Sequence, residues 1–504
     1  MDRVNPTLIQ DYYVPAACGK RIYLRGKDYP EGDADPFLQT LAKLGEQHET
    51  RQRERLAPYL DLAFGTREDR IKKTRQALLE KSDQTLFRPL LAARTALGGK
   101  QRELVGEPDF LVQKENGWSV LEVKLARKVE GGQHREIRLQ VDCYGWLLDQ
   151  TLGEPPVSLQ VLLGDGSISE REYTGAEEAL ELLDKLVLIR EQPEHGYEPV
   201  GWSKCMPCAF RGLCFAEAKS RNEVSLVPEL DQSLARELRA EGVRTVASLV
   251  KRFDEESLSR ITRPLGPRRQ RVGKKARRIL LNANALDQRR EIRLGALAVP
   301  PCDHYAMFDI EGIPPDLEDD IGRIFLWGLK VYGERPSGFL PAVAGFDADG
   351  DRRAWFEFLA IAARLFDEYG EDLPFVHWSH YEVTKLQSYV ELHGDDDQGT
   401  AERLGHALFD LLGETKRTWA LPLLSYSLKE VEKHVGYKRI LPEANGAWAM
   451  AQYIEAVAGD DEKERQSLMD QICQYNEEDL DATWQVLVWL LEKESDRTPS
   501  RKKS

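Results

Sequence analysis

One stretch of this 504-residue chain limits its fold more than any other, residues 106–129, GEPDFLVQKENGWSVLEVKLARKV. Two apolar runs flank a short polar turn that contains Gly117. Alternation with a period of two around a glycine-containing turn predicts a β-hairpin. In its second strand Glu122 and Lys124 are two residues apart, so they lie on one face of the sheet. Asp109, at the start of the first strand, can reach that face.

Two carboxylates and an ammonium on one sheet face are what metal-assisted phosphodiester hydrolysis needs. Asp109 and Glu122 would hold Mg²⁺ or Mn²⁺, and Lys124 would orient the attacking water or stabilise charge on the phosphorus. Asp, Glu and Lys are also common surface residues, so the hairpin alone is equally consistent with a solvated outer face. The residues that follow favour the first interpretation.

A predicted helix follows the hairpin after a polar turn. Residues 135–148 carry apolar residues at helical spacing, and Gln140 and Tyr144 lie one turn apart on a shared face. Asp, then Glu-x-Lys, then Gln-x-x-x-Tyr resembles the nuclease core of the RecB family, a branch of the PD-(D/E)xK phosphodiesterases. The resemblance covers residues 1–222. It implies a restriction-endonuclease-like core in which Gln140 and Tyr144 position the substrate strand or the ligand shell.

The same family places a metal-binding His on an upstream helix, after a Gly. Here the segment LGEQHE supplies Gly45 and His48 within a predicted helix. A single His is more often a packed or surface residue than a ligand. Because the motifs come in the family's order, the resemblance implies that His48 binds the metal of this site.

The whole chain has the composition of a soluble globular protein. Charged residues make up 31% and hydrophobic residues 41% of it, and its length suits about three domains. The net charge of −15 argues against a protein that coats nucleic acid non-specifically, although a local basic patch can still steer a substrate. We find no transmembrane-length apolar run and no signal-peptide pattern, so we expect a cytoplasmic protein without a membrane partner.

Seven cysteines in a chain without a secretion signal argue against a disulfide framework. Cys205, Cys208 and Cys214 form a Cys-x2-Cys-x5-Cys pattern that suits a metal, and Cys18 or His195 could complete it. The spacing alone favours a zinc knuckle. One cysteine upstream of the nuclease core and three downstream instead resembles the iron–sulfur subgroup of RecB-like nucleases, which includes AddB and the CRISPR-associated RecB-like exonucleases. That resemblance implies a 4Fe–4S cluster on Cys18 and the three downstream cysteines, fastening the two ends of the domain together.

Residues 223–296 differ from the preceding residues in their sequence pattern. The segment SLVPELDQSLARELRAEGVRTVASLVKR predicts two helices joined at Gly242. This is similar to helix-hairpin-helix modules, which grip a nucleic-acid backbone through turn amides, and a plain linker fits as well. A second hairpin turn is predicted at Gly266, before a run of basic residues in an otherwise acidic chain. We expect this run to face phosphates, with a solvated helix as the alternative. It comprises Arg268, Arg269, Arg271, Lys274, Lys275, Arg277 and Arg278.

Residues 297–494 predict an α/β domain. The segment HYAMFDIEG indicates a buried strand with Asp309 and Glu311 on one face, and the last helix places Tyr475 and Asp479 one turn apart. A strand-borne Asp-x-Glu, a middle acidic residue and a helix-borne Tyr-x-x-x-Asp resemble the DEDDy exonucleases of the RNase H-like superfamily. The resemblance implies two metal ions and a tyrosine that aligns water. The implied metal ligands are Asp309, Glu311, Glu382 and Asp479.

The middle acidic position departs from that family's pattern. The family has Asp after an aromatic residue, whereas HWSHYEVTKL places Glu382 there. Glu can bind a metal, but its side chain is one methylene longer and shifts the carboxylate. An RNase H-like scaffold without activity is therefore the alternative for this domain.

The two resemblances in this order match a family of bacterial predicted RecB-like nucleases with both domains on one α/β multidomain chain. Residues 495–504 would form a disordered basic tail. We expect a metal-dependent DNA nuclease that acts as an exonuclease on single-stranded ends. No P-loop motif is present, so unwinding would need a separate helicase. A 3′–5′ exonuclease that processes RNA and a non-enzymatic adaptor at DNA ends are the alternatives.

Overall fold

A computed structural model describes residues 3–33, 35–80, 84–129, 134–266, 268–313, 323–347 and 349–495. The chain divides into two compact units, Met1–Glu198 with Ser203–Gly212, and Pro199–Trp202 with Leu213–Ser504. The basic segment 223–296 clusters with the second unit, and the finer division into domains stays a prediction. All but the first residue of the predicted tail lies outside the described residues. No helix in the described part is long and apolar enough to cross a membrane.

The first unit combines helices with two β-sheets. Its elements are β1 (Arg3–Val4), α1 (Thr7–Tyr13), α2 (Gly19–Gly26), α3 (Pro36–Arg55), β2 (Tyr59–Asp61), α4 (Arg67–Leu79), β3 (Thr85–Phe87), β4 (Leu91–Leu97), β5 (Lys100–Gly106), β6 (Phe110–Lys114), β7 (Gly117–Val123), α5 (Arg135–Leu152), β8 (Leu159–Leu162), β9 (Ile168–Arg171) and α6 (Glu177–Glu191). One sheet has the strand order β2-β3-β6-β7-β8-β9 and the other β1-β5-β4. Helices α7 (Trp202–Cys205) and α8 (Arg211–Ser220) follow in the chain.

The predicted hairpin is present as β6 and β7, which pair antiparallel with Lys114 opposite Gly117. The predicted helix after it is α5. Gly106 precedes the hairpin at a point where α5 comes close, since an added Cβ would lie 2.6 Å from Leu147 Cδ1 and 2.8 Å from Tyr144 Cδ1. Only glycine allows the helix to pack this tightly on the strand that leads to the hairpin.

The second unit is built around a five-stranded sheet. Its elements are η1 (Val224–Leu226), α9 (Gln232–Ala240), α10 (Val246–Arg252), α11 (Glu255–Arg260), β10 (Thr262–Leu265), β11 (Arg268–Arg271), α12 (Lys275–Gln288), β12 (Ile292–Arg293), β13 (His304–Gly312), β14 (Ile324–Gly333), β15 (Leu340–Val343), α13 (Gly350–Tyr369), β16 (Phe375–His377), α14 (His380–His393), α15 (Thr400–Ala407), β17 (Leu408–Asp410), α16 (Leu411–Thr418), β18 (Trp419–Ala420), α17 (Leu428–Val435), α18 (Gly446–Ala458) and α19 (Glu462–Ser495). The sheet order is β15-β14-β13-β16-β17, with β14 antiparallel to β13 and β16 parallel to it.

The two faces of β13 meet different helices. Phe308 stacks on Phe358 of α13 with ring centroids 5.3 Å apart. Its neighbour Asp309 accepts a hydrogen bond from Asn476 of α19. Because successive side chains of a strand alternate between faces, the apolar residues of β13 build the core while Asp309 and Glu311 turn towards α19.

The basic segment differs from the prediction in its second half. Helices α9 and α10 are joined around Gly242, which has a φ of +86°, as expected for two helices meeting at a glycine. Around Gly266 the chain forms a β-hairpin, β10 with β11, rather than a second helical hairpin. Pro264 accounts for the β-hairpin. It cannot donate the backbone hydrogen bond that a residue in a helix interior donates, whereas an edge strand tolerates proline.

Candidate active sites

The first candidate site lies where β6 begins and β7 ends. The amide N–H of Asp109 donates to Glu122 Oε2 at 3.2 Å, and Asp109 Oδ2 accepts from the N–H of Val123 at 2.8 Å. Lys124 Nζ donates to Glu122 Oε1 at 2.7 Å. The hairpin register therefore brings together the three residues that the sequence singled out, and it fixes both carboxylates by backbone contacts.

The electrostatics of this site follow from its burial. Burial, and then the charge of Glu122, raise the pKa of Asp109 to about 8. Burial disfavours the charged form of Lys124, but the charges of Glu122 and Asp109 outweigh it and raise the Lys124 pKa. The lysine thus stays cationic, while the site without a metal retains a proton on Asp109 near neutral pH.

His48 is buried on α3, which contacts β7. Burial, and then the positive charges of Arg51 and Arg55, lower its pKa, so the imidazole is neutral. The ring bonds the backbone of Leu163, and its Nε2 is buried without a hydrogen-bond partner in the described part of the chain. A metal-binding histidine is typically neutral and is held by a hydrogen bond from one ring nitrogen, which leaves the other nitrogen available for the metal. His48, Asp109 and Glu122 do not all lie within 4.8 Å of one another.

Gln140 and Tyr144 form a buried pair on α5, with Gln140 Nε2 donating to the Tyr144 hydroxyl at 2.8 Å. Burial, and then the charge of Glu122, raise the Tyr144 pKa well above its usual value. The hydroxyl therefore stays protonated within electrostatic range of the carboxylates, as expected for a residue of this site.

The second candidate site joins β13 to α19. Carboxylate oxygens of Asp309, Glu311 and Asp479 lie within 4.8 Å of one another. In the described residues, no other group of three His, Cys, Asp or Glu ligand atoms meets that spacing. Burial, and then the charge of Asp479, raise the pKa values of Asp309 and Glu311 well above their usual range. Converging carboxylates that repel one another, here two buried and one half-buried, are a ligand set for a hard divalent cation.

Glu382 and Tyr475 complete the set expected for this site. Glu382 is buried near the start of α14, where its Oε2 accepts from Ser379 Oγ at 2.8 Å. Its charge acts on Asp309 and Glu311, although it lies outside the tight group of three. Burial, and then the charge of Asp479, raise the Tyr475 pKa well above its usual value, so the phenol keeps its proton.

The structure adds residues that the sequence patterns did not single out. Asn476 Nδ2 donates to Asp309 Oδ2 at 2.7 Å. An added Cβ on Gly328, which pairs with Asp309 across the sheet, would lie 1.8 Å from Asn476 Oδ1. Arg439 contacts Asp479 through its Nη2. In the sequence, the one indication that Asn476 belongs to this site was its position next to Tyr475. For Arg439 the indication was its position as a basic residue at the end of the segment SYSLKEVEKHVGYKR.

Comparison with known protein families identifies the two domains that carry these candidate sites. A model of the PD-(D/E)XK nuclease superfamily matches residues 9–215, and a model of the RNase H superfamily matches residues 306–491. The chain joins a PD-(D/E)XK nuclease domain to an RNase H-like domain. The fused architecture inferred from the sequence is thereby confirmed, and the two domains are those of metal-dependent nucleases that hydrolyse phosphodiesters.

Other comparisons add little to this assignment. No curated protein matches the chain. A solved structure titled "Crystal structure of SSO0001" is similar over 43% of this chain and 87% of its own length, at 16% identity and a TM-score of 0.24. A TM-score this low does not establish a shared fold, so the assignment rests on the two family models.

The cysteines flank the PD-(D/E)XK core without forming a tight group. All seven cysteines of the chain carry thiols. Burial raises the pKa of Cys18, and the nearby Cys205 adds to the effect, while Cys18 and Cys208 both act on the buried guanidinium of Arg21. His195, the alternative ligand, lies beside Gly19. No set of three cysteines in the described residues brings its sulfurs within 4.8 Å of one another.

The predicted basic stripe is divided between two elements. Arg268, Arg269 and Arg271 lie on β11, and six of the seven predicted residues are exposed. Arg278 is the exception and corrects the prediction. Its Nη1 donates to the carbonyl of Trp419 at 3.0 Å, and its guanidinium lies 4.9 Å from the centroid of the Tyr426 ring. Arg278 therefore packs against the protein instead of facing phosphates.

Proposed function

We propose that this chain hydrolyses phosphodiester bonds in DNA as an exonuclease on single-stranded ends, with one active site in each nuclease domain. The observation that carries the proposal is the convergence of buried and half-buried carboxylates in both domains. Burying carboxylates without a compensating positive charge costs free energy of folding. A cluster of them is therefore typical of a cation-binding site. A divalent ion is the cation that these ligand sets select.

In the PD-(D/E)XK site, His48, Asp109 and Glu122 would hold Mg²⁺ or Mn²⁺. The donor set fits, because it offers carboxylate oxygens and one neutral imidazole nitrogen. When bound, the ion lowers the pKa of water and offsets charge on the phosphoryl oxygens. Lys124, held cationic by Glu122, orients the nucleophile or donates to a phosphoryl oxygen. Gln140 and Tyr144, bonded to each other, position the strand or the ligands.

In the RNase H-like site, Asp309, Glu311, Glu382 and Asp479 would hold the metal ions. Tyr475 keeps its phenolic proton at neutral pH and can align the attacking water by a hydrogen bond. Glu382, anchored by Ser379, occupies the place of the usual Asp. Its burial and its charge on Asp309 support a role in binding the ions rather than a surface position.

A 4Fe–4S cluster on Cys18, Cys205, Cys208 and Cys214 is a separate part of the proposal. Support comes from the one-plus-three order of the cysteines and from the electrostatic proximity of Cys18 to Cys205. A cluster would serve the fold, not the hydrolysis. Absorption spectra and iron analysis of protein purified without oxygen test it, with Cys18→Ser as the variant. Bound zinc without iron would contradict the cluster.

Residues 223–296 would bind the nucleic-acid backbone. The proposed contacts are Gly242 and its turn, as in helix-hairpin-helix modules, and an exposed basic surface made of Arg268, Arg269, Arg271, Lys274, Lys275 and Arg277. Exposed arginine and lysine in a chain of net charge −15 support local phosphate binding. Arg278 is not part of this surface.

The decisive experiment is a degradation assay on end-labelled single-stranded DNA with Mn²⁺ or Mg²⁺. Wild type is compared with Lys124→Ala and with Asp309→Asn. Loss of activity in Lys124→Ala alone assigns the assayed reaction to the PD-(D/E)XK site, and loss in Asp309→Asn alone assigns it to the RNase H-like site. No degradation by wild type under any of these conditions would contradict the proposal and favour the adaptor function.

Two further substrates test the finer points. Circular single-stranded DNA degraded as fast as a linear strand would contradict an end-dependent exonuclease. A matched RNA oligonucleotide tests the second candidate function, RNA processing, which the RNase H-like domain keeps open because such domains act on either nucleic acid.

A partner helicase is proposed because the sequence carries no P-loop motif, and addition of duplex substrates with and without a helicase tests that dependence.

A further inference from the structure

An arginine lies inside the RNase H-like site and is held by two carboxylates. The Arg439 side chain is only 3% exposed, as is that of Glu432 on α17. Arg439 Nε donates to Glu432 Oε1 and its Nη2 donates to Glu432 Oε2, both at 2.6 Å. The same Nη2 also contacts Oδ1 of Asp479. One guanidinium therefore connects a carboxylate outside the metal group to a carboxylate within it.

The surroundings of Arg439 restrict it to this geometry. Its guanidinium lies 5.6 Å from the centroid of the Tyr475 ring. The following residues are tied to α19, because the N–H of Leu441 donates to Glu478 Oε2 at 3.1 Å. Arg439 Nη1 is buried without a partner in the described residues. The hydrogen bonds of the guanidinium are thus concentrated on Glu432 and Asp479.

Asp479 has a particular need for such a partner. Asp309 and Glu311 share one strand, and Asn476 bonds Asp309, so the sheet orients these carboxylates. Asp479 reaches the group from a helix, and its side chain could rotate away from carboxylates that repel it. Arg439 bonds Oδ1 from outside the group of three carboxylates, and Tyr475, one turn earlier on the same helix, also donates a hydrogen bond to the Asp479 carboxylate.

We propose that Arg439, anchored by Glu432, is a positioning residue that fixes the Asp479 carboxylate for sharing a divalent ion with Asp309 and Glu311. The proposal rests on the metal-dependent activity proposed for this site and specifies how the site is held ready for the ion. Partners that orient metal ligands from behind contribute about 10–100-fold in metal affinity or activity. A planar fork suits this task and a lysine does not, because lysine cannot make the bidentate pair with Glu432.

The test is Mn²⁺ binding by the full chain, measured by calorimetry and electron paramagnetic resonance. A Glu122→Gln background weakens the other metal site, and loss of binding in Asp309→Asn identifies the ion of interest. The main variant combines Glu432→Gln with Arg439→Gln, so that a neutral amide pair replaces the ion pair and Glu432 is not left as an uncompensated buried charge. The matched control is Arg403→Gln, whose arginine makes the same bidentate pair with the 70%-exposed Glu371.

We expect the double variant to bind Mn²⁺ about 10–100-fold more weakly than its parent, with Arg403→Gln unchanged. The single variant Arg439→Lys should bind Mn²⁺ more tightly than the double variant and more weakly than its parent. It should lower kcat with little change in KM, because Arg439 acts through Asp479 and not on the substrate. A folded double variant whose Mn²⁺ affinity stays within twofold of its parent would overturn the proposal. So would the absence of any Mn²⁺ ion that Asp309→Asn removes.

The same preparations separate this proposal from the proposed function. A wild type that binds Mn²⁺ but degrades neither DNA nor RNA contradicts the nuclease proposal, and the Mn²⁺ affinities still decide the role of Arg439. A wild type that degrades DNA, with an unchanged affinity in the double variant, contradicts the role of Arg439 alone.

Discussion

The two candidate sites use positive charge in different ways. In the PD-(D/E)XK site the cation lies among the ligands, with Lys124 Nζ 2.7 Å from Glu122 Oε1. In the RNase H-like site three carboxylates converge within 4.8 Å and the arginine stands behind one of them, against Asp479. Under the proposed function, the first arrangement would supply a cation to the phosphate, whereas the second would leave most of the charge compensation to bound ions. The difference implies that the RNase H-like site depends more strongly on metal.

The largest expected effect separates the two sites by activity. Lys124→Ala removes a built-in cation and Asp309→Asn removes a ligand, and each should lower the rate at its own site by about 10²–10⁴-fold. The sites lie in different domains and act in parallel, so on a substrate used by both each single variant should keep the rate of the intact site, and only the double variant should show the full loss. Rates on single-stranded DNA measure this. A single substitution that silences both sites would break the comparison.

Metal ions should stabilise the RNase H-like domain more than the PD-(D/E)XK domain. Its repelling carboxylates are relieved when an ion binds, and at 100 times its Kd a ligand adds about 2.7 kcal/mol to the free energy of unfolding. Asp309→Asn should abolish this gain and make the metal-free domain more stable, since it removes a carboxyl whose ionised form is disfavoured by burial and by the charge of Asp479. Calorimetric melting with Mn²⁺ and with EDTA measures both. An equal gain in the Asp309→Asn variant would contradict the prediction.

Gly328→Ala should damage the RNase H-like site alone. The new methyl group would meet Asn476 Oδ1 and displace the amide that bonds Asp309. Overpacking of this kind costs about 1–3 kcal/mol of stability, and Mn²⁺ affinity at this site should fall with it. Gly338→Ala is the control, because an added Cβ there has no atom within 4 Å. Unfolding by denaturant and Mn²⁺ titration are the measurements, and equal behaviour of the two variants would contradict the expected clash.

The smallest effect is a pH dependence of the PD-(D/E)XK site. Asp109 has a pKa of about 8 in the metal-free fold, so below that pH an incoming ion must displace a proton. In an Asp309→Asn background, Mn²⁺ affinity should rise by about tenfold per pH unit up to about pH 8 and then level off. Because the folded pKa is raised, metal-free stability from this group is complete below the unfolded pKa and is lost as pH rises through about 8. Affinity that does not change between pH 6 and 8 would contradict this reading of Asp109.

Much of each site was predictable because its residues lie close together in the chain. Asp309 and Glu311 are two apart on a strand, Glu122 and Lys124 are two apart at the end of a strand, and alternation places each pair on one face. The one-turn spacing of Tyr475 and Asp479 places them on a shared helix face in the same way. In the structure Glu122 and Lys124 lie beside Asp109, and Asp309 and Glu311 lie beside Asp479. The assignment of metal-binding and catalytic roles stays a prediction.

The basic segment shows where such local reasoning fails. A run of arginines and lysines indicates a charged surface, but it does not indicate which member turns inward. Arg278 packs on Tyr426 and bonds Trp419, which is 141 residues away in the chain. Pro264, before Gly266, was a local signal against a helix interior, and a glycine-centred turn alone did not distinguish a β-hairpin from a helical one.

By itself, the sequence determined the two domain types, the hairpin, and the carboxylates and lysine of the candidate sites. Only the tertiary structure decided how those groups are supported. Asn476 meets Asp309 across 167 residues, Arg439 meets Asp479 across 40, and Gly328 is needed because Asn476 lies against it. The spacing of apolar residues indicates which face of a helix or strand is buried, because the direction of the side chains repeats regularly along the backbone. A hydrogen bond between distant elements leaves no repeat, so it becomes visible only when the chain is folded.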